Sequence, residues 1–271
     1  MSLPERPPLD PDRLHATDAI AAPWHEIRVV AESPSTNTDL ITVADSAPSG
    51  AVLVAEHQTA GLGRLGRQWE SPARSSLTVS VLLRPAVDLA RWGWLALLAG
   101  VALREAVAEL DVAAALKWPN DLLIGPDEQK AAGILAQVSG TAVVIGIGVN
   151  VTNTREELPI PAATSLELSG AAKLDRTELL LSLLAKLGTR YLDWEAAGGD
   201  AQRSGLADEY RAHCSTLGRA VTVEHAGGGA HEGTATGIDA DGRLLLRTKG
   251  NDELAIGAGD VHHLRAIGDS L

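Results

Sequence analysis

The part of the sequence that most constrains the fold is a glycine- and arginine-rich stretch, residues 56–69, between two apolar segments. Residues 61–66 fit G-x-G-x-x-G, which in dinucleotide-binding folds follows a strand and opens a helix. Here the next residues have no 3.6-residue apolar period, Pro72 disfavours a helix, and the next regular pattern is a strand at 76–83. The stretch therefore argues against a doubly wound parallel fold. A kinase fold fits no better, because H-R-D and D-F-G are both absent.

The same stretch has the residue types that a nucleotide site requires. Its glycines allow the backbone to approach a ligand closely, and Arg64 and Arg67 provide fixed positive charges. Trp69 adds a flat ring on which a planar base can stack. These residues predict a loop that closes over a nucleotide. On this stretch alone, a glycine-rich surface turn with incidental arginines remains the alternative.

Composition excludes several classes of protein. A net charge of −12 argues against broad nucleic-acid binding, so local cations must hold any polyanion. The single cysteine, Cys214, excludes an intrachain disulfide and a cysteine-rich zinc site. The histidines show no metal-binding spacing, and His262 and His263 are predicted to lie at the surface. Neither a secretory signal nor a membrane-length apolar run is present, which predicts a soluble, cytoplasmic protein.

Periodicity divides the chain into three parts. Residues 1–23 are polar and proline-rich, and we expect a loosely ordered leader. Residues 24–217 combine strand and helix patterns, which predicts a domain that contains both element types. From residue 218 to 271, short strands alternate with glycine and aspartate turn signals, which predicts a small β-barrel.

Two helix starts are predicted from capping residues. Thr36 and Asp39 fit a capping box for a helix that runs to about Asp45. Asp88 is placed to cap a long helix that reaches Leu110.

Three further segments have polar residues at predicted strand ends. Residues 117–121 read K-W-P-N-D, residues 130–135 read K-A-A-G-I-L, and Asn150 lies near the end of an apolar strand. Each has an ordinary alternative when taken singly. Lys117 fits a solvated lysine at a strand end, and Asn150 fits a residue that caps a turn.

Taken in order with Ser35-Thr36-Asn37 and the glycine-arginine loop, these segments resemble the biotin protein ligase family from about residue 27 to 150. The C-terminal barrel fits that family's SH3-like domain. The resemblance implies an α+β, class II synthetase-like catalytic domain with helices packed on a mixed β-sheet. It implies the short form of the family, without an N-terminal DNA-binding domain. It also implies a two-step reaction. Biotin and Mg-ATP give biotinyl-5′-AMP and pyrophosphate, and a lysine of the biotin carboxyl carrier domain of acetyl-CoA or propionyl-CoA carboxylase then displaces AMP.

The resemblance also implies roles for individual residues, with Lys130 first among the catalytic candidates and Asp121 as a candidate for assisting the incoming lysine. The catalytic set is Arg64, Arg67, Lys117, Asp121 and Lys130. The biotin-binding set is Ser35, Thr36, Asn37, Gln58, Leu62, Gly63, Arg64, Lys130 and Gly133. The nucleotide-binding set is Arg64, Arg67, Trp69, Lys117, Asn120, Lys130 and Asn150. No protein metal site is predicted, because Mg²⁺ bridges phosphates with few protein ligands.

The loop departs from the family's usual G-R-G-R-x-G-R at one position, where Leu62 stands in place of the first arginine. One cation fewer weakens the hold on an anionic adenylate. We therefore expect Leu62→Arg to slow the release of biotinyl-5′-AMP, measured as dissociation of the labelled adenylate. An unchanged release rate would mean that position 62 acts only through its backbone.

Two other functions remain open at this stage. The first is a ligase for another small carboxylic acid, notably lipoate, on a related fold. The second is a regulator that uses biotinyl-AMP as a corepressor on DNA. The negative charge and the short segment before residue 24 predict no operator binding, and a salt-sensitive, sequence-specific gel shift would contradict this. A monomer and a weak homodimer are both compatible with the sequence.

Overall fold

The computed structural model describes residues 6–15, 22–225 and 227–264. Its α-helices are α1 Pro11–His15, α2 Thr36–Thr42, α3 Trp94–Ala108, α4 Arg176–Ala196 and α5 Leu206–His213. Its strands are β1 Glu26–Val30, β2 Ala51–Ala55, β3 Gly61–Leu62, β4 Gln68–Trp69, β5 Ser76–Leu83, β6 Ala114–Lys117, β7 Asp121–Ile124, β8 Gln129–Ser139, β9 Ala142–Asn150, β10 Ala220–Glu224, β11 Ala230–Ile238, β12 Leu244–Arg247, β13 Glu253–Ile256 and β14 Asp260–His263.

A seven-stranded mixed sheet is the centre of the larger domain. Its strand order is β1-β2-β5-β9-β8-β7-β6, in which only β1 and β2 are parallel neighbours. All eight residues of β5 are buried, and α3 and α4 pack on each other and contribute to the main core. The predicted α+β class with helices on a mixed sheet is therefore confirmed. None of the helices in the described ranges is both long and apolar enough to cross a membrane.

The C-terminal strands form a separate antiparallel sheet with the order β13-β12-β11-β10-β14. Their alternating inward residues, such as Val221 and Val223, are fully buried, as expected for a small, half-solvated β-domain. The turn between β11 and β12 docks on the larger domain. Trp94 Nε1 donates to Ala240 O (3.1 Å), and Trp118 Nε1 donates to Gly242 O (3.2 Å). The β-domain is therefore fixed beside the K-W-P-N-D segment.

Both predicted helix starts differ in detail from the structure. Ser35, not Thr36, is the N-cap of α2 and accepts from Thr38 N. The carboxylate of Asp39 instead accepts from Ser33 Oγ at 2.6 Å, so it does not close a capping box. Asp88 does cap a helical segment, but this is a 3-10 turn, Leu89–Gly93, and α3 begins only at Trp94.

The expectation of a loosely ordered leader is wrong for residues 6–14. Leu9 and Leu14 are 2% and 0% exposed and belong to the main core, and α1 begins at Pro11. The proline-rich composition conceals these two leucines because neither lies in an apolar run. The remaining leader residues, 1–5 and 16–21, lie outside the described ranges.

Candidate active site

A cavity of about 590 Å³ lies where the glycine-arginine loop, the K-W-P-N-D segment, β8, β9 and β14 meet. Every residue in the three predicted sets lines it, although the sets come from segments up to 115 positions apart. The predicted residues at the cavity are Ser35, Thr36, Asn37, Gln58, Leu62, Gly63, Arg64, Arg67, Trp69, Lys117, Asn120, Asp121, Lys130, Gly133 and Asn150.

One end of the cavity is a buried polar network at the start of α2. Gln58 Oε1 accepts from Thr36 N (2.8 Å) and from Thr36 Oγ1 (3.0 Å), and Thr36 Oγ1 also meets Ser80 Oγ at 2.7 Å. These bonds fix the Gln58 amide so that its oxygen faces the helix. Within the described residues, Gln58 Nε2 has no hydrogen-bond partner, which leaves two oriented N–H groups for a ligand.

Asn37 is tied to the sheet more completely. Its Nδ2 donates to Leu135 O (3.1 Å) and Gln137 Oε1 (2.8 Å), while its Oδ1 accepts from Ser80 Oγ (2.6 Å). The close approach requires glycine at position 146, where an added Cβ would lie 2.1 Å from Asn37 Oδ1. Both donors of the amide are therefore used within the protein, and only the second lone pair of Oδ1 is left for a ligand.

The glycine-arginine loop is a small hairpin. β3 pairs with β4, and Gly63 N donates to Arg67 O at 2.7 Å. The turn passes through left-handed backbone at Leu65 (φ 56°) and Gly66 (φ 75°). A leucine in that region is strained, and such strain is concentrated at functional loops. Leu62 and Leu65 are 43% and 49% exposed, so the loop presents two apolar side chains to solvent, and Leu62 lines the cavity.

Both loop arginines contact the C-terminal domain. Arg67 forms an ion pair with Asp260, and Arg64 Nη2 donates to Gly259 O at 3.3 Å. Burial lowers the pKa of Arg64, with the Asp121 carboxylate acting in the opposite direction. Because the guanidinium of arginine is effectively always protonated in proteins, Arg64 remains charged at neutral pH.

The two lysines differ in their partners. Lys130 Nζ lies 2.6 Å from Asp121 Oδ1, and its backbone is fixed by bonds to Ala162 O (2.8 Å) and from Thr164 N (2.9 Å). Lys117 has no ion pair or hydrogen bond from its side chain to any described residue. Burial lowers its pKa, since a charged group loses hydration there. An anion bound beside Lys117 would reverse that effect.

Trp69 forms one wall of the cavity. Its ring lies flat enough against β9 that a Cβ added at Gly148 would stand 2.6 Å from Trp69 Cε2. Its indole Nε1 is buried without a hydrogen-bond partner in the described part of the chain. The amides of Asn120 and Asn150 instead donate to Ile134 O and Thr164 O, both at 3.0 Å, and so hold the cavity walls together.

Sequence reasoning missed several parts of the lining, and two of them come from distant segments. The cavity is lined by residues 260–262 of the C-terminal domain and by Pro159, Ile160, Ala162 and Ala163 of a loop after β9. Neither segment has a motif, and only long-range packing brings them to the site. The predicted surface position is also wrong for His263, whose side chain is 13% exposed and contacts Glu128 Oε2 at 3.3 Å. Burial lowers the pKa of His263.

The cavity combines an arginine loop, two lysines and an attached β-domain, which is suited to binding an anionic nucleotide. Comparisons with known proteins identify the class. The model of the Biotin/lipoate A/B protein ligase family matches residues 28–150, and that of the Biotin protein ligase C terminal domain matches residues 216–264. The biotin–[acetyl-CoA-carboxylase] ligase of Mycobacterium tuberculosis is 44% identical over 269 residues, covering 96% of this chain and 97% of that protein. The chain therefore belongs to the biotin protein ligase family.

More distant relatives share the fold over most of the chain. The biotin–[acetyl-CoA-carboxylase] ligase of Paracoccus denitrificans is 31% identical, covering 81% of this chain and 93% of that protein. The solved structure of the Aquifex aeolicus biotin protein ligase in complex with biotin and ATP superimposes with a TM-score of 0.73 at 28% identity. That match covers 89% of this chain and all of the Aquifex chain. The similarity thus spans both domains.

Proposed function

We propose that the chain is a biotin protein ligase that activates biotin as biotinyl-5′-AMP and transfers it to a lysine of a biotin carboxyl carrier domain of an acyl-CoA carboxylase. The similarity to the Mycobacterium tuberculosis ligase supports this substrate pair, and the biotin- and ATP-bound Aquifex relative supports the two ligands. The observation that carries the proposal is that one and the same cavity is lined by Gln58, whose amide N–H groups are unused, and by Lys117, whose ammonium has no partner among the described residues.

In the first step, a carboxylate oxygen of biotin bonds to the α-phosphorus of ATP, and the bond from that phosphorus to the pyrophosphate oxygen breaks. Two anions must come together, so preorganised cations lower the barrier. Lys117, Lys130 and Arg64 line the cavity, and we propose that they supply these charges. We place Lys130 at the converging carboxylate and α-phosphate, with the Gln58 amide and the Ser35 hydroxyl at the ureido ring and Trp69 beside the adenine.

In the second step, the acceptor lysine attacks the mixed anhydride, the C–O bond to AMP breaks, and an amide forms. The amine must first lose a proton, since its unperturbed pKa is about 10.4. The carboxylate of Asp121 is paired with the ammonium of Lys130. When Lys130 turns to the phosphate, the Asp121 carboxylate is released and becomes available to accept the proton of the incoming ammonium. This role for Asp121 is part of the proposal.

Mg²⁺ is proposed to enter as part of the substrate MgATP. Within the described ranges, no group of three or more histidine, cysteine or acidic side chains is placed to hold a metal ion. A metal carried by phosphates and water needs few protein ligands. Four points stay predictions. They are the domain limits at residues 24–217 and 218–271, the state as a monomer or weak homodimer, the absence of DNA binding and the cytoplasmic location.

Acid-dependent ATP–pyrophosphate exchange tests the proposed function. The assay compares biotin, lipoate and octanoate in the presence of Mg²⁺. We expect exchange with biotin alone, followed by transfer to a purified carrier domain. Exchange with lipoate instead would keep the adenylation step and overturn the substrate. Absence of exchange with all three acids would overturn the enzymatic function.

A further inference from the structure

Residues 6–14, which we term the N-terminal strap, hold a segment far away in the sequence. Arg6 donates from Nε to Thr152 Oγ1 (3.1 Å) and from Nη2 to Thr152 O (2.9 Å). It also grips Glu157 with both terminal nitrogens, at 3.2 Å and 2.6 Å. The two side chains are only 8% and 14% exposed. Such a bidentate, nearly buried pair is geometrically specific, and removing one partner leaves the other charge buried without compensation.

The segment held by Arg6 leads directly to the central lysine. Glu157 also accepts from Thr154 N at 2.9 Å, which closes a compact turn. The chain then passes residues 159–163, which line the cavity. It ends in the two backbone bonds that flank Lys130, from Lys130 N to Ala162 O and from Thr164 N to Lys130 O. One continuous stretch of twelve or so residues therefore joins the Arg6 ion pair to the Lys130 backbone.

A second anchor of the strap is Glu56, the first residue of the glycine- and arginine-rich stretch. Leu9 N donates to Glu56 Oε1 at 2.6 Å, and Arg176 Nη2 bridges Glu56 Oε2 (2.7 Å) and Pro7 O (2.8 Å). The Glu56 and Arg176 side chains are 9% and 7% exposed. Glu56 is two residues before Gln58, whose amide faces the cavity. The strap is thus bonded to two segments that lead into the cavity lining, one through Glu157 and the other through Glu56.

We propose that the N-terminal strap is a part of the ligase site and that Arg6 is a positioning residue for Lys130. Through Glu157 and Thr152, Arg6 holds residues 152–164 at the distance that places the Lys130 ammonium opposite the biotin carboxylate and the α-phosphate. This inference rests on the proposed function for the identity of those ligands. The mechanical link from Arg6 to Lys130 stands on the contacts alone.

Hydrogen–deuterium exchange on the ligand-free protein tests that link without any assay of activity. In Arg6→Ala, we expect amide exchange in residues 152–164 and at Lys130 to accelerate by about tenfold or more, because the segment opens locally once its buried anchor is gone. The matched control is Arg13→Ala, which removes an arginine of the same strap that pairs with Asp175 and Glu178 at the start of α4. Unchanged exchange in residues 152–164 of Arg6→Ala would overturn the proposal.

Steady-state kinetics separate positioning from general stabilisation. We expect Arg6→Ala to raise the KM for biotin by about tenfold and to lower kcat, whereas Arg13→Ala shifts the melting temperature without changing KM. Glu157→Gln should give the same kinetic change, and the double variant Arg6→Ala/Glu157→Gln should be no worse than either single variant. Equal kinetic effects of Arg6→Ala and Arg13→Ala would overturn the positioning role. If the unaltered protein shows no biotin-dependent ATP–pyrophosphate exchange, the proposed function is overturned instead. Hydrogen–deuterium exchange would still decide whether Arg6 is linked to Lys130.

Discussion

Lys130→Ala is expected to reduce biotin-dependent ATP–pyrophosphate exchange on the order of a thousandfold, the loss typical of removing one preorganised charge donor from a reacting centre. Lys130 Nζ is held 2.6 Å from Asp121 at the centre of the cavity, and neighbouring backbone fixes the residue on both sides. Those backbone bonds do not depend on the side chain, so the variant should fold. The measurement is the initial rate of exchange at saturating biotin and ATP.

Two controls distinguish lost chemistry from lost structure. Lys249→Ala removes a lysine that is 88% exposed on the C-terminal domain, and it should leave exchange unchanged. Lys130→Ala leaves the Asp121 carboxylate without its ion-pair partner, so Lys130→Ala/Asp121→Asn removes that uncompensated charge. If the double variant recovers full exchange, the defect came from Asp121 and the catalytic role of Lys130 is wrong. Exchange within about threefold of the unaltered protein in the single variant leads to the same conclusion.

The site residues were predictable from sequence because each lies in a short segment with a distinctive combination of residue types. The cavity is lined by the loop with Arg64 and Arg67, by the segment that begins at Lys117 and by the segment that begins at Lys130. The presence of both strands and helices in the larger domain was also predictable from its apolar periodicities, whereas the mixed sheet was an implication of the family resemblance. The roles of the individual residues stay predictions. The engaged amide of Asn37 shows how a residue in such a set can be occupied by the protein itself.

The parts that sequence reasoning missed depend on contacts between distant segments. Asp260 has no local pattern that marks it, yet it reaches the cavity and pairs with Arg67 because the β-domain docks through Trp94 and Trp118. Arg6 lies in a proline-rich segment that resembles a flexible leader, yet its guanidinium is nearly buried against Glu157. Periodicity reports which face of an element is apolar, but it carries no information about which distant polar groups will meet.

The second large effect is expected at Gly148, which allows the Trp69 ring to lie directly on β9. A methyl group there would stand 2.6 Å from Trp69 Cε2 and 2.9 Å from Cζ2, closer than carbon atoms can approach. Because the strand is at the centre of the sheet and cannot recede, the ring must move into the cavity, where we place the adenine. We expect Gly148→Ala to raise the KM for ATP by about tenfold or more, comparable to the loss of one stacked base.

A double-mutant cycle decides whether the clash with Trp69 is the cause. If Trp69 transmits the effect, Gly148→Ala should add little to the defect of Trp69→Ala, since no ring is left to displace. Gly133→Ala is the matched control on the adjacent strand, where an added Cβ would lie 3.4 Å from the flexible end of Lys130 and 3.5 Å from the Trp69 ring. It should change the KM for ATP much less. Additive effects of Gly148→Ala and Trp69→Ala would contradict the assignment of Trp69 as the wall of the adenine site, because the glycine would then act on ATP by a separate route.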